Sequence, residues 1–448
     1  MGNSKSKKPI EIGTKRPKRE VDLTSLPARV DNVRINGLSR TYDDYVQRAG
    51  EGLFKATNFQ EILLEANEAR NYLDDLGIFK SIDVHIDITR ENSKTPHSYD
   101  VVFRGKENSR IIGGIGTEIG QNEGSLTMQL ASPNLFGRGE KLTLQGSYSN
   151  IKTNDIGLKL SKPFFHTRFK DNRPEISMSL FKHSDKMEIS AFKNSNLGVL
   201  LDFSFLTNLP IELSHVLQYE TAIKEISGLG KSIPFFVRQH CGPRMSSLFR
   251  YIVAYDSRDN AVFPNYGFLL KTTNEICGFG GNIGYMMNNT QTELSIPLFN
   301  GFVAQVCSRF GLIQRDKRHL DIPISNLFVF GGNQTLRGFQ FGGAGPQTDG
   351  FSAGAHSYWS AGLHLWGPLP FSSVFGRFSS NFRSHVFYNF GNADSFSTDK
   401  MRSAAGVGIA YKFADRARIE LNYCYPINKE RGDKINKGFQ FGIGYEFI

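Results

Sequence analysis

Two hydrophobic periodicities divide this chain. Between Pro27 and about Gly105 the apolar positions are those of a small α/β module. Val33 and Ile35 alternate with polar neighbours in a strand that stops at Asn36-Gly37, and two helices are predicted after it. The second is the clearer: Ile62, Ala66, Ala69, Leu73 and Leu76 fall on one helical face, with Glu61, Glu65, Glu68 and Arg70 outside it and Gly77 placed to end it. Ile82, Val84, Ile86 and Ile88 then alternate with Asp83, His85, Asp87 and Thr89 as a half-buried strand, and Tyr99 to Phe103 supplies its partner. The predicted order is β-α-α-β-β.

After about Lys106 the helical spacing stops and period-two alternation takes over. Of the 37 Phe, 33 lie in this part, so the largest apolar side chains concentrate where strands are predicted. Ile156, Leu158 and Leu160 alternate with Asp155, Gly157, Lys159 and Ser161; Ile419, Leu421, Tyr423 and Tyr425 alternate with Arg418, Glu420 and Asn422. The sharpest case is the last segment, where Phe439, Phe441, Ile443, Tyr445 and Phe447 point one way and Gly438, Gln440, Gly442, Gly444 and Glu446 the other. Sixteen such segments can be placed from residue 111 to residue 448; windows 185–194 and 281–287 are ambiguous, so alternation alone allows sixteen to eighteen. A soluble sandwich would have to bury all these apolar faces against opposite faces carrying Lys, Asp, Arg and Glu. A membrane barrel places lipid outside and water inside, and its closure leaves no bare edge in hydrocarbon. The predicted fold is therefore an all-β transmembrane barrel of 16 antiparallel strands over residues 106–448, preceded by a small α+β domain over 27–105. An even strand count puts both ends of the barrel on one side of the membrane.

Composition is compatible with this fold. The chain has no run of about 18 apolar residues that could cross a bilayer as a helix, whereas spanning strands need only about 9–11 residues each. The net charge of +10 is concentrated at the start: residues 1–20 carry seven Lys or Arg against two Glu. The near-balance elsewhere gives no basic surface for nucleic acid. Residues 1–26 are expected to be a basic disordered tail without the apolar core of a secretory signal. Met1-Gly2-Asn3-Ser4-Lys5-Ser6 fits the pattern for N-myristoylation at Gly2, and Lys5, Lys7 and Lys8 would add attraction to anionic lipid. Cys241, Cys277, Cys307 and Cys424 lie far apart, with neither disulfide-framework nor metal-ligand spacing. There is no nucleophile–base pattern or phosphate loop, so neither an enzyme nor a bound cofactor or metal is expected.

The stretch 312–353 is not strand-like; it follows eleven predicted strands and precedes five. It contains Gly331-Gly332-Asn333-Gln334-Thr335-Leu336-Arg337-Gly338-Phe339. Leu336-Arg337-Gly338-Phe339 matches a [VIL]-R-G-[FY] tip, and on it the chain resembles the outer-membrane-protein assembly and two-partner-secretion transporter superfamily, whose sixth extra-membrane loop folds into the barrel lumen. That family's partner motif on the thirteenth strand is similar to Phe387-Tyr388-Asn389-Phe390-Gly391, with Asn389 where an Asp is frequent. Asn389 shares a strand face with Arg383 and His385 and is expected in the lumen. An amide there accepts only a neutral hydrogen bond from Arg337, so the resemblance implies a tether weaker than a charged one, with other acceptors helping. Ser132 to Gly139 looks like the family's turn after the second strand, and Gln440-x-Gly442-x-x-Tyr445-x-Phe447 fits the β-signal of mitochondrial barrels. The β-α-α-β-β order resembles a polypeptide-transport-associated (POTRA) domain. With a single such domain and a basic N-terminus, the resemblance narrows to the core barrel subunit of the mitochondrial sorting and assembly machinery.

That resemblance implies insertion and folding of precursor β-barrel proteins into the mitochondrial outer membrane, with the POTRA domain facing the intermembrane space. The implied partners are those precursors, accessory subunits of the assembly complex, intermembrane-space chaperones and the lipid bilayer. The seam between Ile111–Gly120 and Gly438–Ile448 is expected to open laterally and to template an incoming β-signal, covering main-chain groups that would otherwise be bare in lipid. Candidate gate residues are Ile111, Gly113, Gly114, Gly116 and Gly120 on the first strand and Gly438, Gly442, Gly444 and Phe447 on the last. Glycines on the inner faces remove packing and weaken the closing pair. The alternative is a protein-translocating or passive channel of the same superfamily.

Overall fold

The computed structural model describes residues 23, 26–43, 48–89, 97–120, 123–149, 153–164, 172–208, 210–229, 233–369, 381–398, 400–413 and 417–444. Two compact units divide the chain, Met1–Glu107 and Asn108–Ile448.

In the first unit, strands β1 (Arg29–Asn36), β2 (Phe79–Ile88) and β3 (Ser98–Glu107) form a sheet of order β1-β3-β2, with β1 parallel and β2 antiparallel to β3. Helix α1 spans Phe59–Asp75 and buries Ile62, Ala66, Ala69 and Leu73. Leu76 caps it half-buried, and Gly77 follows at φ +64°. A reciprocal box starts the helix: the Asn58 side chain accepts from the Glu61 N–H at 2.8 Å, and the Glu61 carboxylate accepts from the Thr57 N–H at 2.7 Å. The earlier of the two expected helices is described over Arg48–Lys55, where its turns are 3-10. Burial fades along β2, from Ile82 in the core to Ile88 at 66% exposure.

Glu107, the last residue of β3, gathers the segment after β1. Its carboxylate accepts from the N–H groups of Ser39, Arg40 and Thr41, each at 3.0 Å, from both hydroxyls at 2.8 Å, and from Arg40 Nε at 3.2 Å. Burial pulls the carboxyl pKa upward, but these donors outweigh it and hold Glu107 well below the usual carboxylate range.

The second unit is built on one large sheet. Its strands are β4 (Ile112–Gly120), β5 (Glu123–Ser132), β6 (Lys141–Ser149), β7 (Asn154–Pro163), β8 (Glu175–Met187), β9 (Phe192–Asn208), β10 (Glu212–Gly228) and β11 (Gly242–Asp256). They continue as β12 (Gly267–Gly281), β13 (Tyr285–Pro297), β14 (Val303–Arg315), β15 (Ser357–Pro368), β16 (Phe382–Ala393), β17 (Arg402–Phe413), β18 (Ala417–Asn428) and β19 (Gly438–Gly444). All sixteen pair in sequence order, antiparallel throughout, as the barrel alternation requires. Neither ambiguous window adds a strand: Glu188–Ser190 is a 3-10 turn between β8 and β9, and 282–284 joins β12 to β13. Among the described residues the ladders end at β4 and at β19.

Side chains divide as two solvents demand. Leu144, Ile156, Leu158, Met178, Leu201, Leu363, Val407, Leu421 and Phe439 are exposed on one face, while Glu275, Glu293, Arg337, His364, Glu420 and Asn422 are buried on the other side of the wall. Strand length varies around the sheet. Strands β4 to β7 have 9 or 10 residues and β9 and β10 have 17 each. At about 3.3 Å per residue the wall is roughly 30 Å long along the short strands and roughly 56 Å along the long ones.

Candidate functional site: the inward loop and the two sheet edges

The stretch between β14 and β15 is 316–356 rather than 312–353, because Leu312 and Ile313 continue the alternation of β14, and it contains a short antiparallel ladder of Gln347–Thr348 with Phe351–Ser352. This loop is rooted first on β11 to β13. Asn326 Nδ2 donates to Tyr285 Oη at 2.9 Å, Tyr285 Oη donates to Glu275 at 3.1 Å, and Glu275 lies 2.5 Å from Arg250 Nε. Ile322 beside them packs with Leu248, Ile283 and Tyr285.

Its tip is held a second time. Leu336 and Phe339 are buried with Phe330, Ala344, Tyr358 and Ala404, so apolar burial fixes the main chain on either side of Arg337. Arg337 is itself fully buried. Its Nη2 donates to Glu420 Oε2 at 2.9 Å, its Nη1 lies 3.4 Å from His364 Nε2, and the guanidinium carbon sits 5.0 Å from the Phe387 ring centroid. Glu420, on β18, also accepts from Asn422 Nδ2 at 2.8 Å and faces Arg418 Nε at 2.7 Å. One carboxylate thus serves two guanidinium groups. Arg418 in turn lies 4.9 Å from the Trp366 ring, which stacks on His385 at 4.0 Å.

The main chain of the tip is bonded to the β18–β19 connection. Gln340 N–H donates to Lys434 O at 2.9 Å, Lys434 N–H to Gly343 O at 2.8 Å, and Asn436 N–H to Gly338 O at 2.9 Å. Gly338 N–H donates to the Gln440 side chain at 3.2 Å, and Asn333 Nδ2 donates to Phe441 O at 3.2 Å, so the last strand itself holds the loop. Gly338 has φ +86°, and a Cβ there would lie 2.7 Å from Ala404 Cβ. That position needs glycine twice over.

The motif residues Leu336, Arg337, Gly338 and Phe339 therefore come together with β16, where Arg337 rests on Phe387, and with a carboxylate from β18. Asn389 is fully buried on β16, two residues from the Phe387 ring against which Arg337 rests. The further acceptor expected to help there is a charged one, since Glu420 gives Arg337 a carboxylate partner from β18. The alternation already placed Glu420 inward, between Arg418 and Asn422; what it could not show is that the loop tip arrives above it. Gly391 lies where β15 comes close, since a Cβ would sit 2.4 Å from Trp359 O.

At the sheet edges, Gly438, Gly442 and Gly444 pair with Cys424, Glu420 and Arg418 on the inner face of β18, as the alternation requires. Phe439 and Phe441 are outward and exposed. On β4, Gly114 and Gly116 pair with Gln129 and Thr127, and Gly120 shares their parity. Gly113 does not: it pairs with Leu130 beside outward Ile115, so of the four glycines it alone lies on the outer face. Glycine carries no hydropathy, but its parity with Ile115 on the same strand gives the same side. Ile111 precedes β4 and is 69% exposed. Gly2 and Phe447 lie outside the described residues, as do the end of the β-signal and most of the basic tail.

A sixteen-stranded antiparallel sheet with an apolar outer face and an inward loop on a buried arginine defines an outer-membrane-type β-barrel. Residues 134–447 match the Omp85 superfamily domain, and the chain belongs to that superfamily, in its SAM50-type branch. It is 55% identical over 427 residues to a SAM50-like protein of Drosophila melanogaster, covering 95% of this chain and 96% of the relative. It is 33% identical over 435 residues to the sorting and assembly machinery component 50 homolog of Homo sapiens, covering 94% and 90% respectively. Its fold is similar to that of BamA from Haemophilus ducreyi lacking POTRA domains 1–3, with a TM-score of 0.77 at 19% identity over 93% of this chain and 84% of that one.

Proposed function

We propose that this protein inserts and folds precursor β-barrel proteins into the mitochondrial outer membrane. Its N-terminal unit is a POTRA domain facing the intermembrane space, where it meets chaperone-delivered precursors, and accessory subunits of the assembly complex surround the barrel. The relatives carry the assembly role in their names; the work at residue level is assigned from physical chemistry. A strand entering lipid exposes N–H and C=O groups that hydrocarbon cannot satisfy. A seam between β4 and β19 that opens sideways offers these groups a paired edge, so the precursor's own folding supplies the free energy and no covalent step is needed.

The observation that carries this reading is the concentration of loop contacts on the last two strands. The tip is bonded to Glu420 on β18, to Gln440 and Phe441 on β19, and to the connection between these strands. The loop thereby braces one wall of the seam, and glycines on the inner faces of β4 and β19 keep the opposite pairing weak. A passive pore would leave its lumen clear, whereas here the loop fills the inner side of this wall.

The test places one cysteine on β4 and one on β19, scanned along both, with the four native cysteines changed to Ser. Import of a labelled barrel precursor is then followed in mitochondria, oxidised and reduced. Assembly that stops on oxidation and returns on reduction supports the gate; assembly that continues with the seam locked overturns it. A stable wide conductance indifferent to locking would instead favour the channel.

A further inference from the structure

The outer wall formed by β6 to β11 has a feature that neither the loop nor the seam uses. Register places Lys182 opposite Ile156 and Leu197, Leu197 opposite Ile223, and Ile223 opposite Met245. Lys182 is thus the cation in a row of outward apolar residues. One row toward the β8–β9 turn the partners are polar, Asn154, Ser184, Ser195 and Glu225, which marks the upper edge of the apolar band. One row the other way they are Leu158, Leu180, Val199 and Thr221. Within these rows the wall is concave: a groove of about 580 Å³ is lined by Leu158, Leu180, Leu197, Val199 and Ile223, with Lys182 on its boundary. That volume lies within the roughly 300–1,000 Å³ typical of small-ligand sites.

A lysine on a lipid-facing strand is unfavourable in hydrocarbon and is tolerated where its long stem lets the ammonium reach the headgroup level. The first apolar row beneath a polar one is such a place. Groove and lysine together present an apolar trough closed at its headgroup end by one positive charge. We propose that this groove is a site for one phospholipid, its acyl chain lying against Leu180, Leu197 and Ile223 and its phosphate on the Lys182 ammonium. The trough covers only the upper rows of the band, which suits an acyl chain entering from one leaflet better than a protein segment crossing the whole bilayer. The site is independent of the seam and stands whether or not the lateral gate operates.

The experiment uses the full chain, purified in detergent and titrated with dioleoyl phosphatidylcholine or with dioleoylglycerol, the same chains without phosphate. Native mass spectrometry counts what each chain retains. The expected result is one retained phosphatidylcholine and no retained dioleoylglycerol. Lys182→Leu should lower retention about tenfold, as loss of a charge-assisted contact would, and Ile223→Trp, which fills the trough, should lower it by about as much. Both variants are first shown to keep the wild-type heat-modifiable mobility of a folded barrel, and Leu363→Ile, on the outward face of β15 and outside the groove, serves as a folded control that should retain the lipid. Equal retention of the two lipids, or retention unchanged in both Lys182→Leu and Ile223→Trp, identifies annular lipid only and overturns the site.

Discussion

Arg337 and Glu420 form an ion pair at 2.9 Å in which neither side chain is exposed. The loop tip thus hangs from a charge on β18 that has no water to replace it. Removing one partner of a buried pair costs about 3–5 kcal/mol, because the remaining charge stays desolvated. Arg337→Ala is expected to release the 316–356 loop and lower precursor assembly, with the loop becoming sensitive to added protease while the strands remain protected. Glu420→Gln keeps an acceptor oxygen for Nη2 and should act in the same direction more weakly. A loop that stays protease-resistant in Arg337→Ala would show that the apolar tip alone suffices.

Gly338→Ala separates steric from electrostatic docking, since the charges are untouched. The added methyl meets Ala404 Cβ at 2.7 Å, and the backbone is held at φ +86°. A non-glycine residue in that region costs on the order of 1–3 kcal/mol. The expected outcome is partial loop release, recovered only in part by Ala404→Gly, which relieves the contact and leaves the backbone strain. Full recovery would mean that the contact with Ala404 is the whole cost.

Much of this was legible in the chain because period-two alternation is a local property. Phe439 and Phe441 reveal their face by comparison with Gly438 and Gln440 alone, without any knowledge of their neighbours. The ends of β9 and β10 were not legible: Asn194, Ser195 and Asn196 are polar on both faces, so the alternation loses contrast although pairing continues to Phe192. The motif at Leu336 to Phe339 announced an inward loop, but its carboxylate partner stands 83 residues away on a strand whose proximity only the folded sheet establishes. Gly113 is legible by the same local rule, since it shares parity with outward Ile111 and Ile115 and not with Gly114, Gly116 and Gly120.

In the N-terminal unit the pH dependence follows from Glu107. Its folded-state pKa is depressed, so across the ordinary carboxylate range, near pH 4, the unfolded chain binds the proton more readily than the folded one. The stabilisation is present above that range and is lost as pH falls through it toward the lower folded value. Glu107→Gln removes the charge while leaving one oxygen acceptor for three main-chain donors. It should destabilise this unit by about 1–3 kcal/mol at neutral pH and flatten its loss of stability between neutral and acid pH. Amide exchange of the Ser39–Thr41 segment in the full chain measures both effects, and an unchanged acid profile would rule out Glu107 as the source.

Gln440 belongs both to the β-signal pattern and to the loop dock, and this leads to the last prediction. Its Oε1 accepts from Gly338 N–H at 3.2 Å and from Cys424 Sγ at 3.2 Å, while its Nε2 donates to Asn436 O at 3.1 Å. A polar residue at this place in the last strand thus satisfies a buried main-chain donor of the loop, so the final strand and the loop tip stabilise each other. Gln440→Leu leaves Gly338 N–H without that acceptor, at a cost of about 1–3 kcal/mol, although the strand pattern stays apolar-compatible. Gln440→Glu retains an acceptor and also offers Gly338 N–H a charged one. If Gln440 acts through the loop, the Leu variant should show protease-sensitive 316–356 and the Glu variant should not. If it acts only as a strand signal, both should leave the loop protected and differ solely in how fast the protein's own barrel inserts.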